Sequence, residues 1–310
     1  MMSAQKHIPV MLNEVLACLK PQDERIYVDA TFGNGGYTKA ILDSADCRVI
    51  ALDRDPTVLS RVKEIKDEYG ARFEFVQGKF GNFAELIKEP IDGVVFDIGV
   101  SSMQIDDADR GFSFSHDGEL DMRMSCEGQS AKDLVNTLSE KELADILYNY
   151  GEEKKSYQMA RKIVQYREEK TIETTKELAE IIYSVIHKKF GEIDPATRTF
   201  QALRIAVNDE LGELKKGLQG ATERLKENGV LAVVSFHSLE ERIVKNYFKD
   251  NCGKNTGISR YLPEMKTNKS IIFSTYSKAI SASKSEIAEN PRARSAKLRY
   301  AIKNEEICHG

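Results

Sequence analysis

The sequence predicts an α/β protein with a mostly parallel sheet, interrupted by an all-helical insertion. Three observations carry that prediction. Over the first hundred residues, short segments rich in β-branched and aromatic residues alternate with helix-like segments. Near residue 100 the alternation stops, and residues 130–190 read as helices only. It resumes at "GVLAVVSF" (229–236). The simplest organisation is one α/β domain in two parts, 1–106 and 200–310, flanking an insertion over 107–199.

In chain order, "RIYVDA" (25–30), "CRVIALD" (47–53), "ARFEFVQ" (71–77) and "IDGVVFDIG" (91–99) read as strands. Between them lie the helix-like "GYTKAILDS", "PTVLSRVKEIKDEY" and "FAELIKE", with Pro56 suited to a first helical turn. Strand, helix and strand at this spacing predict parallel pairing through right-handed crossovers. In the insertion, "LSEKELADILYNYG" carries a capping box, Ser139 with Glu142, and Leu138 placed to staple onto Leu143. "TTKELAEIIYSVI" repeats the device with Thr174 and Glu177, and "SYQMARKIVQYREE" between them is a third helix. A long helix is expected from about Pro195 to Asn228, and further strands near "SIIFSTYS" (270–277) and "SAKLRYAI" (295–302). The insertion leaves the chain after a strand's C-terminal end, the edge at which such sheets bind ligands.

Composition sets the outer bounds. Apolar residues make up 41% and charged residues 30% of the 310, ordinary for a soluble globular protein. No apolar run approaches the roughly 20 residues that span a bilayer. The start, "MMSAQKHIPVMLNEVL", lacks a signal peptide's apolar stretch and cleavage site. The five cysteines are scattered, with no zinc spacing, so a reduced, cytoplasmic protein without metal is expected. A net charge of −4 excludes bulk attraction to nucleic acid but not a local basic patch. "NPRARSAKLRY" is such a patch, with Arg292, Arg294, Lys297 and Arg299; a solvated surface is the other reading.

The segment "YVDATFGNGGYT" (27–38) carries the first chemistry. Asp29 ends a strand, and Gly33, Gly35 and Gly36 let the backbone approach a ligand and start a helix with free amides. A dinucleotide loop wants G-x-G-x-x-G, and Thr38 stands where the third glycine belongs, which weakens the NAD reading. A strand-end acid before the first glycine is instead the pattern of Rossmann-like S-adenosylmethionine (SAM) methyltransferases. Asp53 ends the second strand, where a carboxylate accepts ribose hydroxyls under either reading. Asp97 ends the fourth strand, followed by Gly99, Ser101 and Ser102, with neither the prolines nor the aromatic of the general amino-methyltransferase tetrad. From residues alone, the reading stops at a SAM-dependent transferase of open substrate.

The later motifs narrow it. "MLNEVL", "DATFGNGGYT", "ALDRDP", "DIGVSSMQIDDADRGFSF", "GELDMRM", "YGEEK", "DPATRTFQALRIAVN", "SFHSLEERIVK" and "AENPRARSAKLR" occur in that order. Together they resemble the bacterial ribosomal RNA small subunit methyltransferase H family over nearly the whole chain. The resemblance implies a class I methyltransferase fold with a helical, substrate-recognising insertion. It also implies methyl transfer from SAM to the exocyclic N4 of a cytidine in 16S rRNA, at the decoding centre of the small subunit. Carried over by position, it implies SAM contacts from Gly35, Gly36, Tyr37, Asp53, Phe80, Asp97 and Gln104. The family usually has histidine where Tyr37 stands and proline where Met103 stands, so a looser turn is expected before Gln104.

A cytosine N4 amine is a weak nucleophile, and the protein's work is chiefly alignment and acceptance of hydrogen bonds as charge develops. Asp97 is the first candidate acceptor, assisted by Ser101 or a backbone carbonyl. His237 follows a strand and could serve near the base, although a strand-end histidine is often structural. Asp121 and Arg198 divide in the same way between ion pairing and substrate contact, and Phe80 between adenine stacking and packing on its own sheet. The base must leave its stack, with the insertion and the loop residues Arg292 and Arg294 gripping RNA backbone. At least one of Lys297 and Arg299 is expected to support the sheet instead. An NAD-dependent oxidoreductase and a non-catalytic rRNA-binding factor are the rival classes.

Overall fold

The computed structural model describes residues 9–187, 191, 194–252 and 271–305. Ser270, Cys308 and the last residues of the 130–190 stretch lie outside the described residues. The chain divides into two compact units, Met1–Gly99 with Leu211–Gly310, and Val100–Glu210, where the sequence reading set 107 and 199 as the limits.

In the first unit, helix α1 (Leu12–Leu19) precedes β1 (Ile26–Asp29), α2 (Gly36–Ser44), β2 (Arg48–Asp53), α3 (Leu59–Tyr69), β3 (Phe73–Gln77), α4 (Phe83–Leu86) and β4 (Ile91–Asp97). The four strands expected in this region are all present. In the second unit, α5 (Ser102–Asp106), α6 (Ala131–Thr137), α7 (Glu140–Gly151), α8 (Ser156–Glu169), α9 (Thr175–Val185) and α10 (Ala196–Asn208) follow. The first unit resumes with α11 (Glu210–Arg224), β5 (Leu225–Ser235), α12 (Ser238–Asn251), β6 (Phe273–Tyr276), β7 (Ile280–Ser281), α13 (Lys284–Glu289) and β8 (Lys297–Lys303).

The sheet runs β3-β2-β1-β4-β5-β8-β6, with β7 beside β8. Strands β1 to β5 are mutually parallel, and β8 is antiparallel to β5, β6 and β7. This is the class I methyltransferase fold. Its inner strands read as unbroken apolar runs because both faces are covered, and Val49–Leu52 and Val94–Phe96 are buried throughout. Register pairs Asp29 with Ala51 and Val95, Asp53 with Gln77, and Asp97 with Val234. Three carboxylates therefore end three adjacent strands, β2, β1 and β4, at one edge.

The helical unit closes on its own core, in which Leu120, Met122, Leu143, Leu147, Ile163 and Leu203 are buried. Both expected capping boxes form, Ser139 with Glu142 and Thr174 with Glu177. A third, Ser130 with Asp133, starts α6. The single helix expected over 195–228 is a misreading. Asp209 adopts a left-handed conformation (φ 48°) and ends α10, and the chain is already extended from Leu225. The physical reason is local: aspartate tolerates that conformation, and the neighbouring Asn208 side chain is bonded to the backbone of Met122 and Met124. Helical periodicity carries no trace of either.

Candidate functional site

The glycine loop is organised by threonines and carboxylates together. Asp29 is inaccessible to water, and its carboxylate accepts from the Thr31 amide (3.2 Å), the Thr38 amide (3.1 Å) and the Thr38 hydroxyl (2.7 Å). Burial pushes its carboxyl up to about 6, against those stabilising bonds. Asp29 thus folds the loop from within, with Oδ2 accepting two of these bonds and Oδ1 one. Thr38, which entered only as a missing glycine, is the residue that locks it.

Asp53 accepts the Gly33 amide (2.8 Å) and the Asp55 amide (2.9 Å). Each carboxylate oxygen has two lone pairs, so one remains on each for a further donor. Burial raises this carboxyl too. Gly33 needs its glycine for the backbone, at φ 51°. At Gly35 and Gly36 a side chain would also collide with neighbouring protein. A Cβ on Gly35 would lie 2.3 Å from Ile65 Cδ1, and one on Gly36 would lie 2.2 Å from Pro9 Cγ. Protein side chains fill the Cβ position of those two glycines. What the loop does offer is the start of α2, which has no side-chain cap.

Asp97 differs from its neighbours. Its amide donates to Thr31 Oγ1 (2.8 Å), so one threonine links the ends of β1 and β4. Part of the residue is exposed, but Oδ1 is sealed from water and has no hydrogen-bond partner among the described residues. Burial, with Asp29 and Glu240 nearby, raises its carboxyl well above the usual range. Burial also raises the Tyr37 phenol, and Asp97 adds to that shift. Tyr37 is buried, and its hydroxyl donates to the Val10 carbonyl. A cofactor contact at position 37 is therefore left to the backbone.

Phe80 packs edge-on against Phe96 at 5.6 Å between ring centres, over the bare backbone of Gly217. It is half-buried, and the next amide, Gly81, donates to Glu213 (3.1 Å). In the helical unit, Ser101 and Gln104 form a reciprocal capping box at the start of α5. That box spans the turn in which Met103 lies. It also engages the Ser101 hydroxyl that was a catalytic candidate.

His237 caps α12, and Glu240 accepts the amides of Phe236 (2.8 Å) and His237 (3.2 Å). The His237 Nε2 is buried and lies 3.0 Å from Glu240 Oε1, so the histidine has a structural part at this helix start. Asp121 pairs with Arg123 at 2.5 Å, and Arg198 lies 3.7 Å from Glu153. Arg292 and Arg294 are exposed on the turn Pro291–Ser295, with Ala293 buried between them. Arg299 is buried and paired with Glu241 (2.6 Å), supporting the sheet, while Lys297 donates to Ser281 Oγ (2.7 Å). Among the described residues, no helix is long and apolar enough to cross a membrane.

Known proteins resemble this chain over almost all its length. Ribosomal RNA small subunit methyltransferase H of Rickettsia massiliae is 55% identical over 301 residues, covering 96% of this chain and 98% of that protein. The proteins of the same name from Rickettsia felis and Rickettsia akari are each 54% identical over 303 residues, covering 96% of this chain and 99% of theirs. The profile of the MraW methylase family matches residues 4–304. With a class I methyltransferase sheet and a glycine loop between strand-end carboxylates, the chain belongs to the MraW methylase family.

Proposed function

We propose that this protein transfers a methyl group from SAM to the exocyclic N4 of a cytidine in 16S rRNA, at the decoding centre of the small ribosomal subunit. The observation that carries the reading is the sealed, unpartnered Oδ1 of Asp97 at the C-terminal sheet edge, beside a loop flanked by Asp29 and Asp53. A buried acceptor without a donor is costly unless a ligand supplies one. SAM fits because it brings both cationic groups and ribose hydroxyls, and when bound it supplies an electrophilic methyl group. The names of the 54–55% identical relatives favour small-subunit rRNA as the acceptor.

In this reading Asp53 accepts the ribose hydroxyls with its remaining lone pairs, and the backbone of Gly33, Gly35, Gly36 and Tyr37 lines the cofactor. Phe80 stacks near the adenine. Asp97 accepts hydrogen bonds from a cationic group of the cofactor and from the target amine as positive charge develops there. Alignment of amine and methyl group then supplies up to about 7–11 kcal/mol of barrier reduction. Asp29, Thr31 and Thr38 hold the loop, and Ser101, Gln104 and His237 shape helix starts. Arg292 and Arg294 contact RNA phosphate, the helical unit recognises the substrate, and the protein works in the cytoplasm with the ribosome. Single-turnover transfer from labelled SAM to small subunits lacking the modification tests the reading: label should appear in 16S rRNA. Label confined to protein or to another RNA would overturn it.

A further inference from the structure

The segment before α1 is tied to two places at once. Pro9 fills the space a side chain on Gly36 would need, and the Val10 carbonyl accepts the Tyr37 hydroxyl. Met11 follows in a left-handed conformation (φ 55°), unfavourable for a side chain of its kind. The bond that holds Met11 there comes from far along the chain: its amide donates to Glu286 Oε1 at 2.5 Å. Glu286 is half-buried on α13, close enough to Tyr37 to help raise its phenol. The Glu286 carbonyl in turn accepts the Asn290 amide (2.6 Å), and Asn290 caps the turn that carries Arg292 and Arg294.

We propose that Glu286 is a positioning residue for the cofactor loop, acting through the Met11–Val10–Tyr37 chain of contacts. Its carboxylate makes a charge-assisted bond to one amide, and that amide fixes the strap that lies over Gly36 and anchors Tyr37. The start of α2 is thereby tied to α13 as well as to Asp29, which holds Thr38. A strained Met11 held by one distant carboxylate is a device that a purely structural turn does not need. The proposal rests on the SAM reading above for its consequence, but the clamp itself is a property of the free protein.

The test uses the full chain with Glu286→Ala, Glu286→Gln and Tyr37→Phe. Glutamine keeps an acceptor for the Met11 amide and should restore most of what alanine loses. With Glu286→Ala, hydrogen exchange should accelerate at residues 10–12 and also at 34–40, and the SAM dissociation constant should rise about tenfold. The apparent KM for SAM should rise with kcat retained, since the chemistry is untouched. Tyr37→Phe should give a similar loss, and the double variant should lose less than the product of the two, because they act through one strap. Faster exchange at 10–12 with unchanged exchange at 34–40 would overturn the proposal. Wild-type protein that fails to bind SAM would count against the cofactor reading alone, and the exchange data would still decide the clamp.

Discussion

Replacing Asp97 by asparagine separates the cost of this residue from its use. Oδ1 is sealed and unpartnered among the described residues, and burial raises the carboxyl well above its ordinary value of 3.8. A group whose folded pKa is raised contributes stability that is fully present below its unfolded value and lost as pH rises through the folded one. Wild type therefore loses stability as pH rises above the ordinary carboxyl value toward the raised one, whereas an asparagine does not titrate. An unsatisfied buried polar group costs about 1–3 kcal/mol. Asp97→Asn should accordingly be more stable than wild type by that amount at pH 8 in urea unfolding, with the difference shrinking toward pH 4. The same change should weaken SAM binding by about 1.5–3 kcal/mol, the range for a hydrogen bond to a charged group, or roughly 10- to 150-fold. Turnover should fall further than affinity if the carboxylate also receives the amine's charge. Calorimetry and unfolding on the same preparations decide it. A variant less stable than wild type at pH 8 that binds SAM normally would refute the reasoning.

Asp53→Ala should weaken SAM binding by about 1.5–3 kcal/mol while the protein stays folded; unchanged affinity by calorimetry would remove Asp53 from the site. SAM binding should release protons over the pH range in which Asp97 is still protonated in the free protein, because a cation beside Asp97 lowers a raised carboxyl, so affinity should climb with pH until that carboxyl is ionised in the free protein. Calorimetry in buffers of different ionisation enthalpy measures the release, and Asp97→Asn should reduce it. Thr38→Val removes the shortest bond to Asp29 and should destabilise the protein by about 1–3 kcal/mol. Denaturant midpoints equal to wild type would show that Asp29 is held without it. Replacing Arg292 and Arg294 together by alanine should raise the apparent KM for small subunits and flatten its salt dependence, leaving SAM affinity alone. A KM unchanged across a salt series would make that turn a solvated surface.

Much of the fold was legible because the signals were local. Alternating β-branched segments gave the strands, and Ser139/Glu142 and Thr174/Glu177 gave helix starts that form as written. The break at Asp209 was not legible, since it depends on where Asn208 finds its backbone partners, 84 and 86 residues away. The site divides in the same way. Strand-end acids are visible in sequence, and Asp29, Asp53 and Asp97 do end adjacent strands. Which of them faces inward is decided by Thr31 and Thr38, whose hydroxyls have no sequence signature. That Ile65 and Pro9 pack where a Cβ on Gly35 or Gly36 would lie was not legible, since only tertiary packing brings Pro9 there. Among the C-terminal cations, the strand's start set Arg292 and Arg294, which are exposed, apart from Lys297 and Arg299, but which of the latter pair is buried on Glu241 was not legible.

The central claim is the transfer of a methyl group to one cytidine N4 of small-subunit rRNA. The most direct measurement incubates the protein with labelled SAM and small subunits lacking the modification, then digests the 16S rRNA and identifies the labelled nucleoside and its position. The account predicts a single N4-methylated cytidine at the decoding centre, and no such product from the Asp97→Asn protein at matched SAM occupancy. Label on a ring carbon, on a ribose hydroxyl or on a nucleotide outside the decoding centre would contradict it.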